Sequence, residues 1–182
     1  MAENNFDVTL GDLILFNENG KEIDRRERNY FESGEPILNI HLKYHLTGTD
    51  TMMFKSDFIK KINGFDNNDL GDEFYLMLKA IERGAMVGHV SNCISYATVH
   101  NNTGLSGYIN KIKTEKEIFN LKKRYFNSLS SSDVRFIKMR HHAVNAVAYK
   151  KGKKFFRCFI SVLKSFFYSP SGFIRLYKGE NR

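Results

Sequence analysis

Three groups of residues in this chain have the types and spacing to do chemistry. The first is the acidic pair Asp72-Glu73, which follows Gly71 and opens a helical pattern. Carboxylates in a helix's first turn stabilise its dipole by about 0.3–1 kcal/mol. At a loop-to-helix junction beside a sheet, the same pair could also supply a general base. The second group is Gly48-Thr-Asp-Thr51, directly ahead of the apolar Met52-Met-Phe54. Its plainest reading is a turn held by Asx and hydroxyl hydrogen bonds. The third is His100, which ends an apolar strand and precedes Asn101-Asn-Thr-Gly104. A lone histidine is more often structural than a ligand, yet neutral imidazole at a strand end can complete a divalent metal site.

The elements that must position these groups follow from periodicity. Asp7 to Phe16 reads as a strand and ends in the turn signal Asn17-Glu-Asn-Gly20. The stretch from Asp24 to Gly34, rich in Arg and Glu, is expected to be a loop with some helix. Thr51 to Phe54 has β-branched and aromatic character, and Phe58, Ile59 and Ile62 then share one helical face before Gly64. A better helix runs from Asp72 to Arg83, with Leu76, Ala80 and Arg83 in step and Gly84 as its stop. Met86–Val90 and Ile94–Val99 alternate like two strands. The chain up to Val99 therefore mixes strands and helices, as α/β domains do.

After Ser106 only helical patterns occur. Tyr108 to Phe126 is one helix, and Ser130-Ser-Ser-Asp133 resembles a capping box opening a second from Val134 to Tyr149. Phe155 to Tyr168 is apolar apart from Arg157, Ser161, Lys164 and Ser165, which form one narrow polar stripe. Ser169-Pro170 ends that helix. Two domains are expected: an α/β part over 1–107 and a basic helical extension over 108–182.

Charge separates the same two halves. Residues 1–91 hold 10 basic and 16 acidic side chains, whereas residues 92–182 hold 18 basic and 4 acidic. Such asymmetry points to a basic appendage facing nucleic acid or an anionic membrane. The two cysteines, Cys93 and Cys158, cannot form a disulfide framework and stand too far apart for a zinc knuckle. The N-terminus lacks the basic and apolar regions of a secretory signal, and no run of about 18 apolar residues occurs. The expected location is the cytoplasm.

The order of the chemical groups resembles a known family. Gly48-Thr-Asp-Thr-Met-Met-Phe-Lys55, the helix from Phe58 to Ile62, and Gly64-Phe-Asp66 look like the central signature of family 2 glycosyltransferases. Asp72-Glu73, Leu76, Leu78, Lys79 and Gly84 resemble the family's acid pair and the helix that follows it. Tyr96 to His100 and Ser106 are similar to its Tyr-x-x-x-His segment and nearby serine, so the likeness covers about residues 6–106.

The resemblance implies a partial GT-A-like mixed sheet with flanking helices, followed by the helical extension. The chemistry it implies is transfer, with inversion, of a sugar from a nucleotide-sugar donor to a glycan or lipid-linked acceptor. The base would deprotonate the acceptor hydroxyl, a contribution of roughly 10²–10⁴-fold. By register it falls on Glu73, with Asp72 preceding it; the family's usual Glu-then-Asp order is reversed, which leaves Asp72 as the alternative. Thr49 and Asp50 would line the donor-sugar or acceptor pocket, and His100 would be a ligand of a divalent metal, Mn or Mg. The family's upstream nucleotide-binding crossover has no counterpart in the six residues before Asp7, and no Asp-x-Asp occurs in the chain. The expectation is a fragment, inactive alone and a poor binder of nucleotide sugars, with an uncovered sheet edge open to self-association.

The basic half has its own readings. Lys150-Lys-Gly-Lys-Lys154 leads into the aromatic helix, so residues 150–168 could lie on an anionic inner membrane face, or the helix could pack on the catalytic part. The alternative class is a non-enzymatic basic module that binds nucleic acid or an anionic membrane, with Lys122-Lys-Arg-Tyr-Phe126 suited to backbone contacts and stacking. No RNA-binding, zinc or helix-turn-helix signature accompanies it, so no nucleic-acid partner is expected.

Overall fold

A computed structural model describes residues 5–28, 31, 33–46, 51–66, 71–98 and 108–178. The chain divides at residues 103–104 into two compact units.

The first unit is built on strand β1 (Val8–Phe16), whose residues from Val8 to Ile14 are all buried. Such a continuous buried run belongs to a strand covered on both faces of its sheet. One edge takes β4 (Val87–Thr98) in parallel along nearly its whole length. The other takes β3 (Met52–Phe54) antiparallel against Val8–Leu10, and β2 (Glu22–Arg26) antiparallel against Leu13–Phe16. The sheet is thus mixed and four-stranded among the described residues. Parallel pairing needs a long crossover, and everything from β2 to the third helix lies within it.

Three helices occupy that crossover: α1 (Ile37–Tyr44), α2 (Ser56–Lys61) and α3 (Asp72–Glu82). Val8 and Leu10 of β1 form one core with Ile40, Leu46, Ile62, Leu76, Met77 and Ala80. Helix α3 ends as its sequence predicts. Gly84 adopts φ +78°, its N–H bonds the Ile81 carbonyl at 3.0 Å, and the Ala85 N–H reaches the Ala80 carbonyl at 3.0 Å. This is a Schellman ending, in which a left-handed glycine lets two orphan carbonyls find donors.

The structure corrects two expectations. The segment assigned to a loop with some helix opens as β2, because the far half of β1 offers unpaired backbone groups on that edge. Its alternating charges form the exposed pairs Arg25–Glu22 and Arg26–Asp24, which suit a sheet edge. The two strands expected over 86–99 are one strand interrupted by a bulge. The step from Leu10 to Asp12 on β1 faces the step from His89 to Ile94 on β4.

Gly88 on β4 has a steric reason. A Cβ there would stand 2.4–2.5 Å from ring carbons of Phe6. Gly88→Ala is expected to lower unfolding stability by about 1–3 kcal/mol, the usual cost of overpacking. Adding Phe6→Ala should recover part of that loss in a double-mutant cycle followed by urea unfolding.

The second unit is helical. It contains α4 (Tyr108–Lys122), continued by a 3-10 segment over Lys123–Ser128, then α5 (Ser131–Lys151), α6 (Phe155–Tyr168) and α7 (Pro170–Lys178). The capping signal is realised: Ser130 Oγ accepts the Asp133 N–H at 3.1 Å. Proline opens α7 at a position where its missing N–H costs nothing. No described helix is long and apolar enough to cross a membrane.

Candidate functional site

The acid pair sits where helix geometry concentrates positive potential. Gly71 takes φ +80°, turning the chain so that Asp72 and Glu73 occupy the first turn of α3. No side chain caps this end, and the dipole there favours negative charge. Both residues are half-buried, and among the described residues Asp72 Oδ1 is buried without a hydrogen-bond partner. Glu73 makes a further interaction of its own.

The turn carrying these acids is held from two sides. On α1, fully buried His41 accepts the Leu46 N–H through Nδ1 at 3.2 Å. That acceptor role leaves the proton on Nε2, which donates to the Phe74 carbonyl at 3.1 Å. The His41 ring also stacks on Phe74, centroids 4.3 Å apart. Further along α3, Lys79 Nζ bonds Asp66 Oδ1 at 2.6 Å. Asp66 ends the Gly64-Phe65-Asp66 segment, so two pieces of the family-like signature meet in space.

A second polar cluster, not anticipated from sequence, lies along β1. Asp12 Oδ1 accepts His89 Nε2 at 2.7 Å and the Arg28 N–H at 3.2 Å. The Arg28 guanidinium, 5% exposed as a residue, donates through Nε to the Gly11 carbonyl and through Nη2 to Thr51 Oγ1, each at 2.8 Å. Phe31 stacks on His89 with centroids 5.7 Å apart. The cluster stands beside the β4 bulge, and bulges often re-aim side chains near functional sites. Its clearest physical effect is to fasten Thr51, the last residue of the Gly48–Thr51 motif, to the central strand. No sequence signal could have joined Asp12 to His89, because only the parallel β1–β4 pairing brings them together.

Thr49, Asp50 and His100, the other expected site residues, lie outside the described residues. The structure therefore shows Asp72 and Glu73 adjoining on one helical turn and Thr51 anchored by Arg28. No family model matches this chain, and no curated protein does. Among the described residues no group of three or more His, Cys, Asp and Glu could hold a metal ion.

The helical unit buries polar groups of its own. His141 Nδ1 donates to Glu115 Oε1 at 2.9 Å, and Asn145 Nδ2 donates to His141 Nε2 at 3.0 Å. Phe119 stacks on His141 at 4.0 Å. Lys122 is buried, and burial lowers its pKa to about 7 despite the opposing pull of Glu115. Burial, with Lys164 adding positive charge, lowers His142 to about 4. The sequence marked Lys122 as an exposed basic contact; the structure turns it inward.

Proposed function

We propose that the chain carries the acceptor side of a family 2-like glycosyltransferase site, on a GT-A-like mixed sheet. Glu73 takes the proton from an acceptor hydroxyl as that oxygen attacks the donor's anomeric carbon. The nucleoside diphosphate leaves from the opposite face, so configuration inverts. Asp72 flanks the base, and Thr49 and Asp50 bind sugar. A divalent metal, held in part by His100, would supply charge neutralisation at the leaving group.

The observation that carries this reading is the Lys79–Asp66 contact. It joins the Gly-Phe-Asp segment to the helix that opens on the acid pair, two segments that the resemblance treats as parts of one signature. Support also comes from Arg28, which ties the end of the Gly48–Thr51 motif to the sheet.

Amide NMR titration of the chain with oligosaccharides and lipid-linked saccharides tests the reading. The expected result is saturable binding that shifts the amides of Thr51, Asp72 and Glu73 and weakens in Glu73→Ala. Absence of any saccharide response up to millimolar concentration overturns it. Calorimetry with UDP-sugars and manganese is expected to show no micromolar binding, since no Asp-x-Asp occurs in the chain.

A further inference from the structure

Helix α6 is built inside out for a helix in water. Its polar residues Ser161 and Ser165 are the buried ones, and Ser165 Oγ donates to the Met139 carbonyl of α5 at 2.8 Å. Four of its phenylalanines and Leu163 between them face the other way, together with Phe166. Phe155, Phe156 and Phe167 are 70%, 77% and 76% exposed, and Phe159, Leu163 and Phe166 are exposed between them. At about 100° per residue these six side chains fill one continuous arc roughly 120° wide. Lys164 and Arg157 border that arc on one side. Helix α7 adds exposed Ile174 and Tyr177.

The charge around this face selects its occupant. From Val134 to Gly179 the sequence contains no Asp or Glu, while Lys150, Lys151, Lys153 and Lys154 stand immediately before α6. Arg175 and Lys178 follow on α7. A second copy would bring the same positive charge against itself. Duplex nucleic acid would satisfy the lysines and leave the phenylalanines in water. An anionic bilayer surface offers headgroup charge to the lysines and acyl chains to the rings. Helix α6 has 14 residues, about 21 Å long at 1.5 Å per residue, too short for the roughly 30 Å hydrocarbon core.

We infer that α6 and α7 form an interfacial anchor, lying in the plane of an anionic membrane with the phenylalanine arc inserted. This inference stands independently of the glycosyl-transfer reading, because it rests only on the helical unit.

Flotation of the full chain with vesicles tests it. The expected result is that the chain floats with phosphatidylcholine–phosphatidylglycerol vesicles and at least about tenfold less with phosphatidylcholine alone, as electrostatic attraction to anionic lipid requires. The triple variant Phe156→Ser, Phe159→Ser, Phe167→Ser removes only exposed rings. It should keep its circular dichroism and lose flotation. Lys153→Glu with Lys154→Glu should also weaken flotation, through charge alone. Wild-type chain that stays unbound to the anionic vesicles overturns the inference. So does a triple variant that floats as well as wild type. A wild-type dimer in light scattering that the triple variant converts to monomer, without vesicle binding by either, assigns the face to a second copy instead. Preferential binding of single-stranded RNA over anionic vesicles likewise overturns the bilayer.

Discussion

Arg28→Met is expected to destabilise the sheet unit by about 2–6 kcal/mol, the cost of leaving two buried acceptors without a donor. The guanidinium is buried and bonds the Gly11 carbonyl and Thr51 Oγ1. Methionine fills a similar volume but gives those two acceptors no donor, and each buried acceptor left unsatisfied costs about 1–3 kcal/mol. Asp12 keeps both of its bonds, to His89 and to the backbone N–H of residue 28. Arg28→Lys is expected to recover little, because a single ammonium cannot reproduce the guanidinium fork that serves two directions at once. Since the chain has two units, a single unfolding curve would blend them. Urea unfolding followed through amides of β1 and β3 isolates the effect. An unchanged midpoint for those amides would show that the cluster does not hold the sheet. The same variant should broaden the Thr51 amide, since the end of the Gly48–Thr51 motif loses its tether.

The helical unit is expected to gain stability as pH rises from about 7 towards 10.5, the opposite of what an ion-paired surface lysine would do. Burial lowers Lys122 from 10.5 to about 7. In that interval the unfolded chain holds a proton that the folded chain has released, so raising pH favours the folded state. The stabilisation is complete above the unfolded pKa and is lost as pH falls through the folded one. The expected change is on the order of a few kcal/mol, since each tenfold change in proton affinity is worth about 1.4 kcal/mol. Lys122→Met should abolish this rise and be more stable than wild type at pH 7, because the desolvation cost disappears while Glu115 keeps its bond to His141. Thermal unfolding at neutral and alkaline pH, read through α4 and α5, measures both effects. A wild-type midpoint that stays flat over this range would show that Lys122 binds its proton equally well folded and unfolded. On the acid side His142, lowered from 6.5 to about 4, has the same sign. It contributes a loss of stability as pH falls from 6.5 towards 4, as the unfolded chain takes up a proton first.

Much of the fold could be read from local pattern. Helix α3 announced both its ends, through the acid pair after Gly71 and through Gly84. Ser130 and Asp133 announced the start of α5 in the same way, because caps and left-handed glycines depend on a few neighbouring residues. Helix α1 was not anticipated. Its side chains Ile40, His41, Leu42 and Lys43 are all buried, and no side chain caps its start, so neither an amphipathic stripe nor a capping signal marks it. The acid pair was legible as a candidate because its chemistry lies within two consecutive residues. Arg28, Asp12 and His89 were not, because their contacts span 16 to 77 positions along the chain.

The basic, aromatic helix shows the same division most sharply. Helical periodicity alone makes residues 155–168 an amphipathic helix with a narrow polar stripe, since it fixes which side chains share a face. The sequence also excludes acids from the surrounding segment. Which face is buried depends on the neighbour that the helix packs against. Two small serines let α6 approach α5 closely. Ser165 bonds the Met139 carbonyl, and that contact turns the bulky rings outward. Periodicity records a difference between two faces, and packing against a particular neighbour assigns one of them to the inside.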